Sequence, residues 1–350
     1  MARTVARVFT APADLPEDLI GNALAQGWSF LAISVGYQPV GFGSHHWLAV
    51  DAAGNRLFVT ADDLAARRRS ASDTADAAFG RLRRALETAL SLRRDAGLDF
   101  VVAPIPAAEG QVATRLTERY SLAVQPWLAG RQPGNDGEFA TGADRLAVLD
   151  LLIALHAVAA GPGSARRTRP AADEFTVPLA TELAEAVLRV SEPWGAGPYG
   201  ARARDLLAGQ AEAVGALLAA YEVLARRVAA RPERMVITHG EPHSANVLRM
   251  PAGYVLVDWD TVLLAPPERD LWALAESDPA IPAAYSAATG TAVDPDAMML
   301  YRLWYDLAEI AGYIGTFRAP HDDTADTAEA WRNLRHFLRP AERWPQLLSA

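Results

Sequence analysis

The chain of 350 residues contains no cysteine and no lysine; all 33 of its basic residues are arginine. The first absence removes disulfides, thiolate metal sites and a cysteine nucleophile together, and points to a reducing compartment, the cytoplasm. The second removes every side-chain ammonium group, so any chemistry that rests on a lysine must find another cation. Long apolar runs are missing as well. The most apolar stretch, Leu146 to Gly161, is interrupted by Asp150 and His156, and no run reaches the roughly 18 uncharged residues that cross a bilayer. Residues Met1 to Arg7 meet Pro12, Asp14 and Glu17 before the apolar core of a signal peptide can form. The expectation is a cytoplasmic protein that does not engage a membrane.

With 51% hydrophobic residues, the length suits two lobes at roughly 150 residues per domain. Charge is unevenly placed. Residues 1–130 hold 13 Arg against 13 acids, whereas residues 131–350 hold 20 Arg against 29, so the whole net charge of −9 belongs to the second part. A field of that sign repels nucleic acid and favours a cationic small molecule.

Ser29 to Val40 reads as a strand, followed by a glycine loop (Gly41, Phe42, Gly43, Ser44) and two more strands, His45 to Val50 and Arg56 to Thr60. Asp51 to Asn55 between the latter two is a hairpin turn in which Gly54 and Asn55 are expected to supply positive φ. From Asp73 to Arg94 apolar residues recur at helical spacing, and Gly97 stops the helix. Phe100 to Ala103 and Tyr120 to Trp127 read as further strands, and Gly130 to Gly137 as a hinge or linker. Beyond it helices are expected at about 138–160, 174–190, 201–231, 268–277, 296–317 and 323–338. Between the third and fourth of these, the β-prone runs Met235 to Thr238 and Tyr254 to Val257 bracket a polar loop, as strands do when they hold a site.

That loop reads His239, Gly240, Glu241, Pro242, His243, Ser244, Ala245, Asn246, and it is followed by Val257, Asp258, Trp259, Asp260. A carboxylate, an amide and two further carboxylates are thus set on adjoining turns. Phosphoryl transfer needs a carboxylate to orient the attacking hydroxyl, amide and carboxylate oxygens for Mg²⁺, and a cation on the phosphates. Three of those four parts are visible. A zinc site on His239 and His243 is disfavoured, because Pro242 denies the helix that such spacing requires.

At these residues the sequence resembles the aminoglycoside phosphotransferase family, kinase-like enzymes whose loop runs H-G-D-x-H-x-x-N and whose metal strand reads I-D-W-D. Leu263 to Leu271, with Pro266, Glu268, Arg269 and Asp270, resembles the L-A-P-x-E-R-D-L of its spectinomycin phosphotransferase branch, and the helix from Tyr301 to Tyr313 also fits. The resemblance implies an α+β, bilobal, protein-kinase-like fold, with a small β-rich lobe over residues 1–128 and a larger helical lobe over 129–350. It implies that Asn246 and Asp258 hold Mg²⁺, that Glu241 occupies the place of the catalytic Asp, that His239 braces the loop, and that Asp260 is an outer or acceptor-side carboxylate. Asp270 reads as a structural cap or an Arg partner rather than a catalyst. Gly41, Gly43 and Ser44 would cover the phosphates of ATP or GTP, or form a plain hairpin turn. His45 and His46 touch nucleotide or alternate in and out of the sheet. Trp127 stacks on adenine or belongs to the core.

Two departures stand out. Glu241 replaces Asp, moving the carboxylate by roughly 1.5 Å on an unchanged backbone, and Pro242 after it favours an extended backbone that helps the loop retreat. In the strand Leu57 to Thr60, the family's phosphate-binding Lys is Thr60, which cannot supply its charge. Its usual Glu partner on the helix falls at Arg84, with Arg81 one turn earlier. The ion pair is therefore expected to be reversed, with Arg84 or Arg81 gripping phosphate and Asp62 or Asp63 as alternative partner; otherwise both arginines are solvated helix positions. The function these residues imply is nucleotide-dependent transfer of a phosphoryl group to a hydroxyl of a small, cationic acceptor of aminoglycoside or aminocyclitol type. The alternatives are a kinase-shaped binding protein without turnover and a pocket repurposed for another reaction.

Overall fold

The computed structural model describes residues 9–41, 43–135, 137–158, 170–276 and 278–348. Phe42 of the glycine loop, the first eight residues, Asp136 of the expected hinge, and the last residues expected of the helices at 138–160 and 268–277 lie outside that set.

The first part is built on an antiparallel sheet. Helix α1 (Glu17–Trp28) leads into β1 (Ala32–Gln38), β2 (Ser44–Asp51) and β3 (Arg56–Asp63), then helix α2 (Ala75–Arg94), β4 (Thr114–Arg115) and β5 (Tyr120–Pro126), in the sheet order β1-β2-β3-β5-β4. Alternation along the strands separates two faces. Trp47, Ala49, Val59, Ala61, Leu122 and Val124 pack against Ile20 and Leu24 of α1. The residues between them, among them His46, Phe58, Thr60 and Gln125, line a cleft on the opposite face. At the turn after β2, Asp51 accepts the N–H groups of Ala53 (2.9 Å) and Asn55 (2.8 Å). Only Gly54 adopts positive φ there; Asn55 contributes through the bond from its Nδ2 to Asp51 Oδ2 (2.7 Å) instead.

Helix α2 starts where Thr74 caps the Ala77 N–H and ends ahead of Gly97, which takes φ +69°. It joins the two parts of the molecule. Leu82 and Leu86 pack with Val112, Ala113 and Ala123, while Ala85, Ala89 and Leu92 enter the core formed by Val148, Leu152, Val247 and Leu256.

The rest is mainly helical. Two short strands, β6 (Gly134–Asn135) and β7 (Glu138–Phe139), precede α3 (Gly142–His156), α4 (Ala180–Leu188), α5 (Gly200–Ala208) and α6 (Ala211–Ala229). Then come β8 (Val236–Thr238), β9 (Val247–Met250), β10 (Gly253–Leu256) and β11 (Leu263–Ala265), which pair as β8 with β11 and β9 with β10. Helices α7 (Glu268–Glu276), α8 (Ile281–Thr289), α9 (Pro295–Arg318) and α10 (Ala325–Phe337) complete the frame. Among the described residues no single helix is long and apolar enough to cross a membrane.

Three expectations are corrected. The helix expected at 201–231 is two helices that meet at 72° around Gly209 and Gln210. Phe100 to Ala103 is not a strand of the sheet; Val101 makes one parallel bridge to Leu256 of β10, so the segment ties the two parts together. Gly130 to Gly137 is no free linker. Arg131 and Arg249 exchange both backbone bonds (3.2 and 2.8 Å), and Gln132 donates to the Ala245 carbonyl (3.1 Å). A Cβ on Gly130 would stand 2.7 Å from Leu248, so only glycine lets the segment press onto β9.

Candidate active site

The loop between β8 and β9 is held from below by buried polar groups. Asp270, at the start of α7, accepts the backbone N–H of His239 (2.9 Å) and of Gly240 (2.6 Å) on its two oxygens. His156 Nε2 also meets it at 3.0 Å, and the other nitrogen of that ring meets Tyr285 Oη at 3.0 Å. Asp270 is therefore a cap for loop amides. Among the described residues no Arg side chain bonds it, and the neighbouring Arg269 donates instead to Thr238 Oγ1 (2.9 Å) and the Thr261 carbonyl (2.8 Å). Gly240 adopts φ +101°, and a Cβ there would fall within 2.5 Å of Arg269 Nη1.

His239 is fully buried, and both ring nitrogens are engaged. Nε2 donates to the Val257 carbonyl (2.9 Å), while Nδ1 accepts the Glu241 N–H (3.2 Å). Burial pushes this imidazole below its usual pKa, so it is neutral with its proton on Nε2. The ring stands edge-on to Trp259 with centroids 4.6 Å apart. It thereby links the polar loop to the segment that carries Asp258, and with both nitrogens spent it has no electron pair for a metal.

Glu241, Asn246 and Asp258 all face one cleft of about 1280 Å³. Asn246 donates Nδ2 to the Glu241 carbonyl (3.1 Å), and its own carbonyl accepts the Val257 N–H (3.0 Å). The side-chain amide is thus turned so that its oxygen is the end left for a cation. Asp258 has a left-handed backbone, φ +63°, unusual for a residue with a Cβ and found where surrounding structure imposes it. Enclosure by the cleft walls and the like charges of Asp260 and Glu241 push its carboxyl well above the usual range, against the pull of Arg67. Two hard oxygen donors beside surplus negative charge suit Mg²⁺. Among the described residues no group of three or more His, Asp or Glu would hold a metal alone.

The sheet supplies the other wall. Gly41 (φ +77°) and Gly43 (φ +78°) bring the chain to Ser44 at the start of β2, and all three line the cleft. Thr60, expected at the place of the family's Lys, donates to Gln125 Oε1 (3.2 Å) and meets His46 Nδ1 (3.2 Å). His46 stacks on Phe58 and its pKa is pushed down to about 4 by burial, so this patch is uncharged at neutral pH. Trp127 is not a core residue. It is 36% exposed, it lines the cleft, and the Arg56 guanidinium lies 4.8 Å from its ring centroid.

The expected pairing of Arg81 or Arg84 with Asp62 or Asp63 is not formed. Arg81 and Arg84 line the cleft, but Arg81 is engaged with Asp73 and with the Arg67 carbonyl. Asp63 is taken by Arg119 (2.6 Å), and Asp62 by Arg67. Arg67 was not signalled by the sequence, because it sits in a run of three arginines after β3 with no motif around it. Its Nη2 lies 2.5 Å from Asp62 Oδ1, 2.5 Å from Asp260 Oδ2 and 3.1 Å from Ser44 Oγ. Asp62 and Asp260 together hold its pKa above the ordinary arginine value in spite of burial.

A cleft of this kind, between an antiparallel sheet and a helical body that offers an H-G-E loop and a D-W-D segment, defines a bilobal, kinase-like phosphotransferase. Residues 46–304 match the APH family, described as the phosphotransferase enzyme family, and the chain belongs to it. It is 31% identical over 263 residues to Protein StrN of Streptomyces griseus, a span of 71% of this chain and 74% of that protein. Among solved structures, spectinomycin phosphotransferase APH(9)-Ia in complex with ADP and spectinomycin aligns over 95% of this chain and 99% of its own, with TM-score 0.69 and 16% identity. Amicoumacin kinase hAmiN, in complex with AMP-PNP, Ca²⁺ and Ami, aligns over 94% of each chain with TM-score 0.54 and 12% identity.

Proposed function

We propose that the protein transfers the γ-phosphoryl group of ATP or GTP to a hydroxyl of a small cationic acceptor of aminoglycoside or aminocyclitol type. The observation that carries this reading is the convergence of Glu241, Asn246 and Asp258 with the glycine loop on one cleft. Nucleotides in the spectinomycin phosphotransferase and amicoumacin kinase structures support it. In this reading Glu241 accepts the hydrogen bond of the acceptor hydroxyl and takes its proton as the new O–P bond forms and the bond to the β-phosphate oxygen breaks. Asn246 and Asp258 hold Mg²⁺, which when bound neutralises charge on the phosphate oxygens. His239 keeps the two segments in register from beneath. Trp127, at the rim, is a flat surface for the base.

A cationic acceptor is favoured by carboxylates: Asp173, Glu182, Glu309 and Asp326 line the same cleft as Glu241 and Asp260. Use of a cellular nucleotide by a cysteine-free chain suits the cytoplasm. The test is thermal unfolding with Mg²⁺ and ATP or GTP, followed by mass analysis of aminocyclitol and aminoglycoside panels. A nucleotide at 100 times its Kd should add about 2.7 kcal/mol of stability. Protection by none of the nucleotides would overturn the reading, whereas protection without phosphorylated product would favour a binding protein.

A further inference from the structure

We propose that Arg67 is the cation that meets the nucleotide phosphates in place of the missing lysine, and that Asp260 holds it in reserve until a nucleotide arrives. This rests on the phosphotransferase reading and goes beyond it by assigning a residue and a latch.

The position of Arg67 is the first argument. Its guanidinium touches Ser44, directly after the glycine loop, and Asp260, two residues beyond Asp258. A polyphosphate reaching from that loop to the proposed metal ligands must pass beside it. Thr60 lies two residues before Asp62 on β3, so Asp62 brings a cation toward the place where the strand itself lacks one.

Donor arithmetic is the second argument. A guanidinium has five N–H groups. Nε bonds Asp62 (2.9 Å), Nη2 is shared among Asp62, Asp260 and Ser44, and Nη1 donates to none of the described residues. Asp62 is 1% exposed and fixed, so it anchors the Nε side. Asp260 is the exchangeable partner. Arg67 contacts two carboxylates, Asp62 and Asp260, and the charge of Asp258 also acts on it. Asp260 accepts from Nη2 alone, whereas phosphate oxygens can offer a guanidinium charge-assisted, bidentate bonds.

Other arginines of the cleft are turned to other partners: Arg81 to Asp73, Arg69 to Glu174 (3.7 Å), and Arg269 to Thr238 and the Thr261 carbonyl. Arg84 lines the cleft but bonds neither the glycine loop nor the Asp258–Asp260 segment.

The test is calorimetric titration of the full-length chain with ADP and with adenosine, each in EDTA and in Mg²⁺. Arg67→Ala should weaken ADP about tenfold or more, the value of a charge-assisted bond, and leave adenosine within about twofold. The loss should exceed that of Arg84→Ala. Asp260→Asn, which removes the competing charge at constant shape, should tighten ADP binding in EDTA. Arg67→Lys, with an ammonium restored, should recover much of the ADP affinity. Equal loss of ADP and adenosine in Arg67→Ala, a larger loss in Arg84→Ala, or unchanged or weaker metal-free ADP binding in Asp260→Asn would each overturn the proposal. Should Arg67→Ala not fold, the Asp260→Asn result decides. Wild-type protein that binds no ADP would instead reject the phosphotransferase reading itself.

Discussion

Asp270 accepts the N–H of His239 on one carboxylate oxygen and the N–H of Gly240 on the other, across 31 and 30 residues of chain. One buried side chain thus fixes where the polar loop leaves β8. Asp270→Asn offers one oxygen and one NH₂ in place of two oxygens, so a loop amide faces a donor. Leaving a buried donor unmet costs about 1–3 kcal/mol. We expect a loss of that size in urea unfolding, together with reduced turnover, because Glu241 follows Gly240 directly. An unchanged unfolding midpoint would show that the loop is held by other groups.

The Glu241 backbone is fixed at both ends: its N–H donates to His239 and its carbonyl accepts from Asn246. The loop is therefore not free to slide toward the acceptor when the side chain is shortened. Glu241→Asp should lower kcat about a hundredfold, since a misplacement near 1 Å costs that much. Glu241→Gln should cost at least as much with ADP affinity nearly unchanged. A faster Glu241→Asp variant would mean that Asp is the better fit and that the loop adjusts.

The fold class and the residues of the candidate site were both legible in the sequence, but for different reasons. His239, Glu241, Asn246 and Asp258 were legible because they are close in sequence and chemically distinctive, and the structure brings Glu241, Asn246 and Asp258 to one cleft. Arg67 and Asp260 were not legible as partners, since 193 residues separate them and ion pairing leaves no local pattern. Strands β9 and β11 have no boundary of their own in the sequence: Val247 to Met250 runs straight on from the polar loop, Leu263 to Ala265 runs into the segment before α7, and each is held by its partner strand. Helix α1 has little sequence signal at its start, where Pro16 stands at the N-cap, a place where a missing N–H costs nothing. At Gly209 two apolar helical patterns abut, and only packing reveals the turn between α5 and α6.

His46 gives a pH signature. Its folded pKa of about 4 lies below the ordinary 6.5, so the unfolded chain binds the proton more readily. The stability His46 contributes is complete above pH 6.5 and is lost as pH falls toward 4, by about 3 kcal/mol at most. His46→Gln cannot take up that proton. The stability difference between wild type and this variant, from urea unfolding at pH 7 and pH 4.5, should shift in favour of the variant at the lower pH. A pH-independent difference would place His46 in contact with solvent.

In the proposed metal role, Asp258 sets function against stability. Its backbone is left-handed, and its carboxyl is crowded by Asp260 and Glu241, so in the absence of a cation the ionised form is a liability at neutral pH. Asparagine tolerates the left-handed backbone and carries no charge. Asp258→Asn should therefore raise metal-free stability by about 1 kcal/mol, as charge relief at a strained functional site commonly does. The same variant should lose the enhancement of ADP binding by Mg²⁺, because an amide oxygen is a weaker ligand for a hard divalent ion than a carboxylate. Urea unfolding in EDTA and calorimetry with and without Mg²⁺ measure the two effects separately. Mg²⁺ enhancement that persists in the variant would remove Asp258 from the metal site, and a less stable variant would show that Arg67 already compensates its charge in the free protein.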